Sequence, residues 1–234
     1  MRALLLLIAM SLSACATTEN PDPLEKFNRA MFTVNRVGDK IIYKPFGKGY
    51  EAVVPRFARK GVYNFFDNLK TPRSSVNNFL QGKPGRGFSE LARFIFNSTL
   101  GVGGLFDIGA AGDLDRYDED FAQTLAVWGL PEGAYVMLPI FGARSMLSTV
   151  ALPIDFRSDL QNHFGNTGTR DKLYVLRLLD TRARQLSNEE EMMRSYDPYI
   201  FLRSAFLKNR EWITHDCDVS IDDDDYCIEL LLRR

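Results

Sequence analysis

The chain has few of the side chains on which most enzymes and metal sites depend. Only two of its 234 residues are histidines, His163 and His215, and only three are cysteines. It contains no GxSxG nucleophile turn, no HExxH zinc motif and no GxxxxGK[ST] phosphate loop. Both histidines fall in predicted loop or tail positions, where a general base is not expected. The sequence therefore predicts no catalytic residue, no metal site and no cofactor.

Neither sign of charge is in large excess. The 29 Lys and Arg residues oppose 30 Asp and Glu residues, which leaves a formal net charge of −1. Nucleic-acid binding relies on clustered positive charge, so no nucleic-acid partner is expected. An acidic group over residues 113–120 could carry acid–base chemistry or form a solvated loop, and the sequence favours the loop. Phenylalanine, by contrast, is plentiful at 17 residues, and a lipid-facing surface is one use for it.

The N-terminus lacks an apolar run long enough to span a bilayer, which needs about 20 residues. Its apolar stretch from Leu4 to Met10 follows Arg2 and leads to Leu12-Ser13-Ala14-Cys15. This order is typical of a signal peptide whose removal leaves a cysteine that carries lipid. We therefore predict a signal peptide over residues 1–14, lipidation at Cys15 and a tether over 15–21. The alternative, an ordinary secretory signal with a free thiol, leaves the position of the cysteine unexplained.

Two cysteines remain after the lipidation site is assigned. Cys217 and Cys227 lie in a chain that is expected outside the cytosol, where disulfides persist, so we predict that they form one. A metal site is the weaker alternative, because the chain has no CxxC pair. The surrounding residues 214–234 are predicted to form an acidic, solvated tail.

Apolar residues recur mainly at helical spacing. Asp22-Pro23-Leu24-Glu25 is typical of a helix start with Asp22 as the cap, and alternating runs suited to a sheet are scarce. The sequence therefore predicts an all-α fold in one domain over residues 22–213. Prolines 55, 72 and 84 are expected at or just before helix starts. The predicted helices are 22–43, 55–69, 72–81, 87–98, 145–152, 169–186 and 197–213.

Two regions of the chain allow more than one interpretation. Residues 36–60 contain seven basic residues against Asp39 and Glu51, which suits either contact with anionic lipid headgroups or a solvated helix face. Phe94 to Phe106 has no charged residue, and 121–154 has only two. Glycine and proline interrupt both low-charge stretches, so neither can form one membrane-spanning helix. Each could be a buried core hairpin, which the residues alone favour, or an element that enters a membrane or lines a cavity.

Several longer motifs of the chain are shared with one known family. The motifs are Asp22-Pro23-Leu24-Glu25-Lys26-Phe27-Asn28-Arg29, Asn64-Phe65-Phe66-Asp67-Asn68-Leu69, Val76-Asn77-Asn78-Phe79-Leu80-Gln81-Gly82, Arg93-Phe94-Ile95-Phe96-Asn97-Ser98-Thr99-Leu100-Gly101 and Gly103-Gly104-Leu105-Phe106-Asp107. In these motifs, and in their order over about residues 22–213, the chain resembles the MlaA (VacJ) family of outer-membrane lipoproteins. The pattern differs at Ala122, at Ala126 and over 142–147, and the tail from 214 has no counterpart in it.

The resemblance implies a non-enzymatic lipoprotein, a ring-like helical body set in the outer membrane on its periplasmic side, with a central amphipathic channel. Phospholipids misplaced in the outer leaflet would pass through it to a periplasmic carrier of the MlaC type, which maintains lipid asymmetry, and a trimeric porin would be its partner. The resemblance places the channel hairpin at Phe94, Phe96, Asn97, Leu100, Gly101, Gly103, Gly104, Leu105, Phe106, Asp107, Tyr135 and Met137. The alternative functions are a structural lipoprotein that bridges a porin and periplasmic partners, and a lipid hydrolase.

Overall fold

Helices dominate the part of the chain that this computed structural model describes, which is residues 22–217 together with Cys227. The helical fold class is confirmed, with one small sheet as an addition. The predicted signal peptide, Cys15, the tether and most of the tail lie outside the described residues. The helices are α1 Glu25–Gly38, α2 Lys44–Val53, α3 Arg56–Leu80, α4 Pro84–Thr99, α5 Ile108–Ala111, α6 Phe121–Val127, α7 Met146–Ser158, α8 Thr167–Arg194 and α9 Pro198–Thr214; the strands are β1 Tyr135–Leu138 and β2 Gly142–Ser145.

Helix α3 is longer than its sequence predicts. Pro72 was expected to separate two helices, but one helix runs from Arg56 to Leu80 with Pro72 inside it. Proline removes one backbone hydrogen bond and usually breaks a helix. Here α4 packs along α3, and the Ser75 hydroxyl donates to the Gly87 carbonyl at 2.8 Å. We attribute the continuity of α3 to this tertiary support, which a local pattern does not contain.

The first predicted helix also continues further than expected. A π-helical turn, Asp39–Tyr43, leads from α1 directly into α2, which ends at Val53. Val54 is extended and precedes Pro55, whose own backbone is extended at the start of α3. Because a residue before proline avoids the helical region, the chain turns here.

A two-stranded antiparallel hairpin is the element that sequence reasoning missed. Tyr135 pairs with Ser145 and Leu138 pairs with Gly142. The connecting turn places Ile140 at φ +70°, a rare conformation for a β-branched residue. The Asn35 side chain stabilises the turn, because it donates to the Leu138 carbonyl and accepts from the Ile140 backbone N–H, both at 2.8 Å. Strands of four residues are too short to show an alternating pattern.

The described residues divide into two compact units, whereas the sequence predicted one domain. The first unit contains residues 22–36, 125–150 and 191–217 with Cys227; the second contains 37–124 and 151–190. The two units interleave along the sequence. No Pro- or Gly-rich linker separates them, so composition does not reveal the division.

Aromatic side chains form the core of the first unit. Tyr135 and Tyr199 meet edge to face with ring centroids 6.2 Å apart, and Met137 packs beside them. Asp22, predicted to cap α1, is buried, and its carboxylate accepts from the Tyr199 hydroxyl and from the Arg203 guanidinium, the latter at 3.1 Å. The start of α1 is thus tied to α9 by side-chain bonds within this unit.

Cys217 and Cys227 form a disulfide, as the sequence predicted, with their sulfur atoms 2.00 Å apart. Both cysteines are buried, and Trp212 near the end of α9 packs against them. The disulfide therefore lies against the end of α9.

Candidate functional site

The hairpin of α3 and α4, in the second unit, has an inverted distribution of polarity. From Val76 onward, most of the side chains that it exposes are large and apolar; Phe88 and Leu100, for example, are 63% and 67% exposed. Most of the side chains that it buries are polar or charged, such as Glu90, which is only 2% exposed, and the buried apolar exceptions are Phe66 and Leu69 of α3. The exposed set is Val76, Phe79, Leu80, Phe88, Leu91, Ile95, Phe96 and Leu100, and the buried polar set is Asn68, Thr71, Ser74, Ser75, Asn77, Asn78, Glu90, Arg93 and Asn97. We call these the outer face and the polar interior of the hairpin.

Hydrogen bonds satisfy much of the polar interior. The Ser74 hydroxyl donates to Asp118 Oδ1 at 3.0 Å, and Asn78 Nδ2 donates to the Tyr117 carbonyl at 3.1 Å. Gln81 Nε2 donates to Glu119 Oε2 at 2.9 Å. Burying a polar group without a partner costs free energy, so these bonds are what permits a polar interior. Part of the acidic group 113–120 therefore has a structural role in which it anchors the segment to α3.

An arginine of α4 holds the glycine-rich segment that follows that helix. Arg93 Nη2 donates to both carboxylate oxygens of Asp107, at 2.9 and 2.8 Å. Asn97 Nδ2 donates to Asp107 Oδ1 at 3.1 Å, and Asn97 Oδ1 accepts from the Gly109 backbone N–H at 2.8 Å. These bonds attach residues 107–109 to one turn of α4, from Arg93 to Asn97.

The same contacts set the charge state of Asp107. Burial raises the pKa of its carboxyl, but the Ala110 backbone N–H, the Arg93 guanidinium and the Asn97 amide favour the ionised form and leave the pKa below its usual value. Asp107 also caps the short helix α5 through that Ala110 N–H, at 3.1 Å. Asp107 is therefore held as a carboxylate that stabilises both Arg93 and α5.

Close packing explains three glycines of the segment. A Cβ at Gly101 would lie 2.3 Å from the Phe106 carbonyl oxygen, and one at Gly109 would lie 2.8 Å from Arg93 Cγ. A Cβ at Gly104 would lie 2.6 Å from Asn68 Cβ, and its φ is +92°. The glycines therefore let the backbone turn sharply against α3 and α4.

The structure brings most of the sequence-predicted hairpin residues together. Phe96, Leu100, Leu105 and Phe106 are exposed apolar side chains, whereas Asn97, Gly101 and Gly104 are buried beneath them. Phe94 and Asp107 are half-buried, and Gly103 is exposed with φ +69°. Together with the outer face, these residues form one candidate site.

Tyr135 and Met137 do not belong to that group. Both are in β1 of the first unit and are 1% exposed in its aromatic core. Burial against Tyr199 leaves them no surface from which to contact a lipid. The resemblance placed them in the channel, whereas the residues alone favoured a buried core hairpin for the low-charge stretch 121–154. At these two positions the structure agrees with the core.

Glu90 is a part of the interior that sequence reasoning missed. Burial raises the pKa of its carboxyl to about 7, although the Tyr117 backbone N–H and Arg93 act in the opposite direction. The Tyr117 N–H donates to Glu90 Oε1 at 2.5 Å. Glu90, Arg93 and Asn97 are three and four residues apart, so they share one helical face opposite Phe88. This spacing of polar residues is the sequence feature from which a polar face on α4 could have been predicted.

The basic stretch 36–60 is partly paired. Within the second unit Lys44 Nζ lies 2.7 Å from Glu189 Oε1, and Arg59 Nη1 lies 2.9 Å from Glu51 Oε1. Lys40, Lys48 and Lys60 are exposed. Exposed apolar side chains accompany these lysines: Ile41, Ile42, Phe46 and Val53. This stretch therefore combines apolar and cationic surface, as an element at a membrane surface does.

Two other kinds of site are absent from the described residues. Across residues 22–217, no helix combines the length and apolarity needed to cross a membrane. Within the same described range, His, Cys, Asp and Glu side chains form no group that could hold a metal ion.

Comparisons with known proteins agree with one another. The sequence profile of a family described as "MlaA lipoprotein" matches residues 20–212. The chain is 31% identical over 223 residues to "Intermembrane phospholipid transport system lipoprotein MlaA" of Haemophilus influenzae, covering 90% of this chain and 89% of that one. It is 32% identical over 214 residues to the protein of the same name from Escherichia coli K12, covering 90% and 85%.

A solved structure has a similar fold. A chain reported under "Structural basis for maintenance of bacterial outer membrane lipid asymmetry" superposes with a TM-score of 0.72 at 35% sequence identity. The match covers 82% of this chain and 98% of that chain.

Proposed function

Because the chain belongs to the MlaA lipoprotein family, we propose that it removes misplaced phospholipids from the outer leaflet of the outer membrane. The lipids pass to a soluble periplasmic carrier of the MlaC type for return transport, and this maintains the asymmetry of the membrane. The protein acts as a passage and not as an enzyme. The names of the Haemophilus and Escherichia relatives, both intermembrane phospholipid transport lipoproteins, support the substrate class.

The inverted polarity of the α3–α4 hairpin is the observation that carries this proposal. In water, a surface of exposed phenylalanine and leucine side chains is unfavourable, and arginine and glutamate lose their hydration when they are buried beneath it. Against lipid the arrangement is favourable, since acyl chains contact the outer face and the protein itself supplies partners for the polar interior. Apolar surface over an internally hydrogen-bonded interior therefore suits an element that contacts the acyl chains of a passing phospholipid.

The protein is placed at the outer membrane by lipid on Cys15, facing the periplasm. Substitution Cys15→Ser is expected to leave a protein that no longer incorporates labelled fatty acid and no longer supports function. Two acyl chains hold a protein stably at a bilayer, each buried methylene contributing about 0.8 kcal/mol. Fractionation after labelling with a fatty acid measures this. Full labelling of the Ser variant would reject the assignment.

A bridging lipoprotein without a lipid passage is the alternative function, and substitution of the predicted passage wall separates the two. Phe96→Asp and Leu105→Asp should raise surface phospholipid and sensitivity to detergent with chelator, while the proposed trimeric porin still copurifies. Phe201→Asp, an exposed position of the first unit, is the matched control and should leave lipid asymmetry intact. If both wall variants are folded, retain the porin and preserve asymmetry, the bridging function is the correct one.

A further inference from the structure

A half-open cavity of about 250 Å³ lies in the second unit between α3 and α7. Its walls are mostly apolar and include Val76, Leu80, Phe121 and Ile154. One charged side chain, Arg73, lines it together with the Asn77 amide. The cavity thus combines an apolar wall with a single cation.

Arg73 is largely buried, and its guanidinium forms only long ion pairs with the described residues. Its side chain is only 17% exposed, and its nearest carboxylate oxygens, on Asp118 and Asp155, are 3.8 and 3.9 Å away. Those distances exceed a hydrogen bond. Arg73 Nε is buried and has no hydrogen-bond partner among the described residues. The buried Arg93 differs, since it donates to both oxygens of Asp107.

Both carboxylates near Arg73 already accept hydrogen bonds from other donors. Asp155 Oδ1 accepts from the Phe121 backbone N–H at 3.0 Å, and Asp118 Oδ1 accepts from the Ser74 hydroxyl at 3.0 Å. Arg73 thus has two carboxylates at ion-pair distance but a buried Nε without a hydrogen bond, so an acceptor supplied from outside the chain would stabilise this site. A phosphate oxygen is well suited, because arginine matches phosphate in both charge and geometry.

We propose that this cavity is a binding subsite for one phospholipid, with the phosphodiester at Arg73 and the start of an acyl chain against Val76, Leu80 and Ile154. Val76, Leu80 and Ile154 remain about half exposed, so the acyl chain can leave the cavity along apolar side chains. A free phosphate ion would gain nothing from these apolar walls, so a lipid is the occupant that fits. This inference rests on the proposed function and assigns it a location on α3 and α7.

Photolabelling tests the subsite on the full-length protein in detergent micelles. The probe is a phosphatidylglycerol with a diazirine near the top of one acyl chain, and labelled peptides are located by mass spectrometry. We expect labels on the segments 72–80 and 151–158 in the wild-type protein. Arg73→Gln should reduce them about tenfold, as a lost charged hydrogen bond predicts, whereas Arg73→Lys should retain most of the label. In the matched control Arg170→Gln, the arginine pairs with its exposed neighbour Asp171, and the labelling should not change.

Three further arms separate the outcomes. A diacylglycerol probe without phosphate should label weakly and be insensitive to Arg73→Gln, and inorganic phosphate should not compete. Ile154→Trp, which fills the cavity but keeps Arg73, should abolish labelling with the melting temperature preserved. Undiminished labelling in folded Arg73→Gln, or competition by inorganic phosphate, would overturn the subsite. Labelling confined to other segments would overturn the subsite and leave the proposed function standing, and no labelling anywhere would overturn both.

Discussion

Asp107→Ala is expected to cause a large loss of stability in the second unit. The substitution removes both carboxylate acceptors of Arg93 Nη2, leaves the Leu114 carbonyl as the acceptor of Nη1, and strands a charge whose side chain is only 5% exposed without its carboxylate. Breaking a buried ion pair by removing one partner costs about 3–5 kcal/mol. Asp107 is itself 28% exposed, so water can partly replace it and the lower end of that range applies. Loss of the helix cap on Ala110 adds about 1 kcal/mol.

Denaturant unfolding in detergent micelles, followed by circular dichroism, measures the change. Asp107→Asn keeps an acceptor oxygen and should cost clearly less than Asp107→Ala. The double variant Arg93→Met with Asp107→Ala removes the stranded charge and should recover part of the stability. If Asp107→Ala costs less than about 1 kcal/mol, or if the double variant is no more stable than the single one, the ion pair does not have the role assigned to it.

Two other predictions test the interior of the hairpin. The folded-state pKa of Glu90 is raised from 4.5 to about 7, so the folded protein keeps a proton that the unfolded chain loses, and stability should fall as pH rises from about 4.5 to 7. Glu90→Gln should flatten that part of the pH–stability profile, and an unchanged slope would contradict the assignment. Gly104→Ala should cost about 1–3 kcal/mol more than Gly103→Ala in the same unfolding assay. Both positions have positive φ, but a Cβ meets Asn68 at 104 and nothing within 4 Å at 103; equal costs would show that close packing is not the reason for Gly104.

The sequence predicted the helices well where their pattern was local. Helix α4 was expected over 87–98 and runs over Pro84–Thr99, and α9 was expected over 197–213 and runs over Pro198–Thr214. The predictions were wrong where a contact between residues distant in sequence determines the local structure. Pro72 stays inside α3 because α4 supports it, and the β1–β2 hairpin forms because Asn28 and Asn35 of α1 bind its backbone.

The candidate site could be predicted in part for the same reason. The outer face has helical spacing, and the resemblance selected Phe96 and Leu100 from it. Which face of α4 is turned inward is not visible in the spacing, and the usual rule that apolar residues are buried gives the wrong answer for Glu90 and Arg93. Tyr135 was assigned to the channel by the resemblance, although the residues alone favoured a core position, which is where it lies.

The central claim is that the outer face of the α3–α4 hairpin contacts lipid acyl chains. Single cysteines at Phe88 and Leu100, each bearing a fluorescent label, test it in phospholipid vesicles that contain an acyl-chain spin-label quencher. Asp171, an exposed charged position of α8, provides the control. The account predicts strong quenching at 88 and 100 and little at 171. Equally weak quenching at all three, with free access of a water-soluble quencher to 88 and 100, would contradict it.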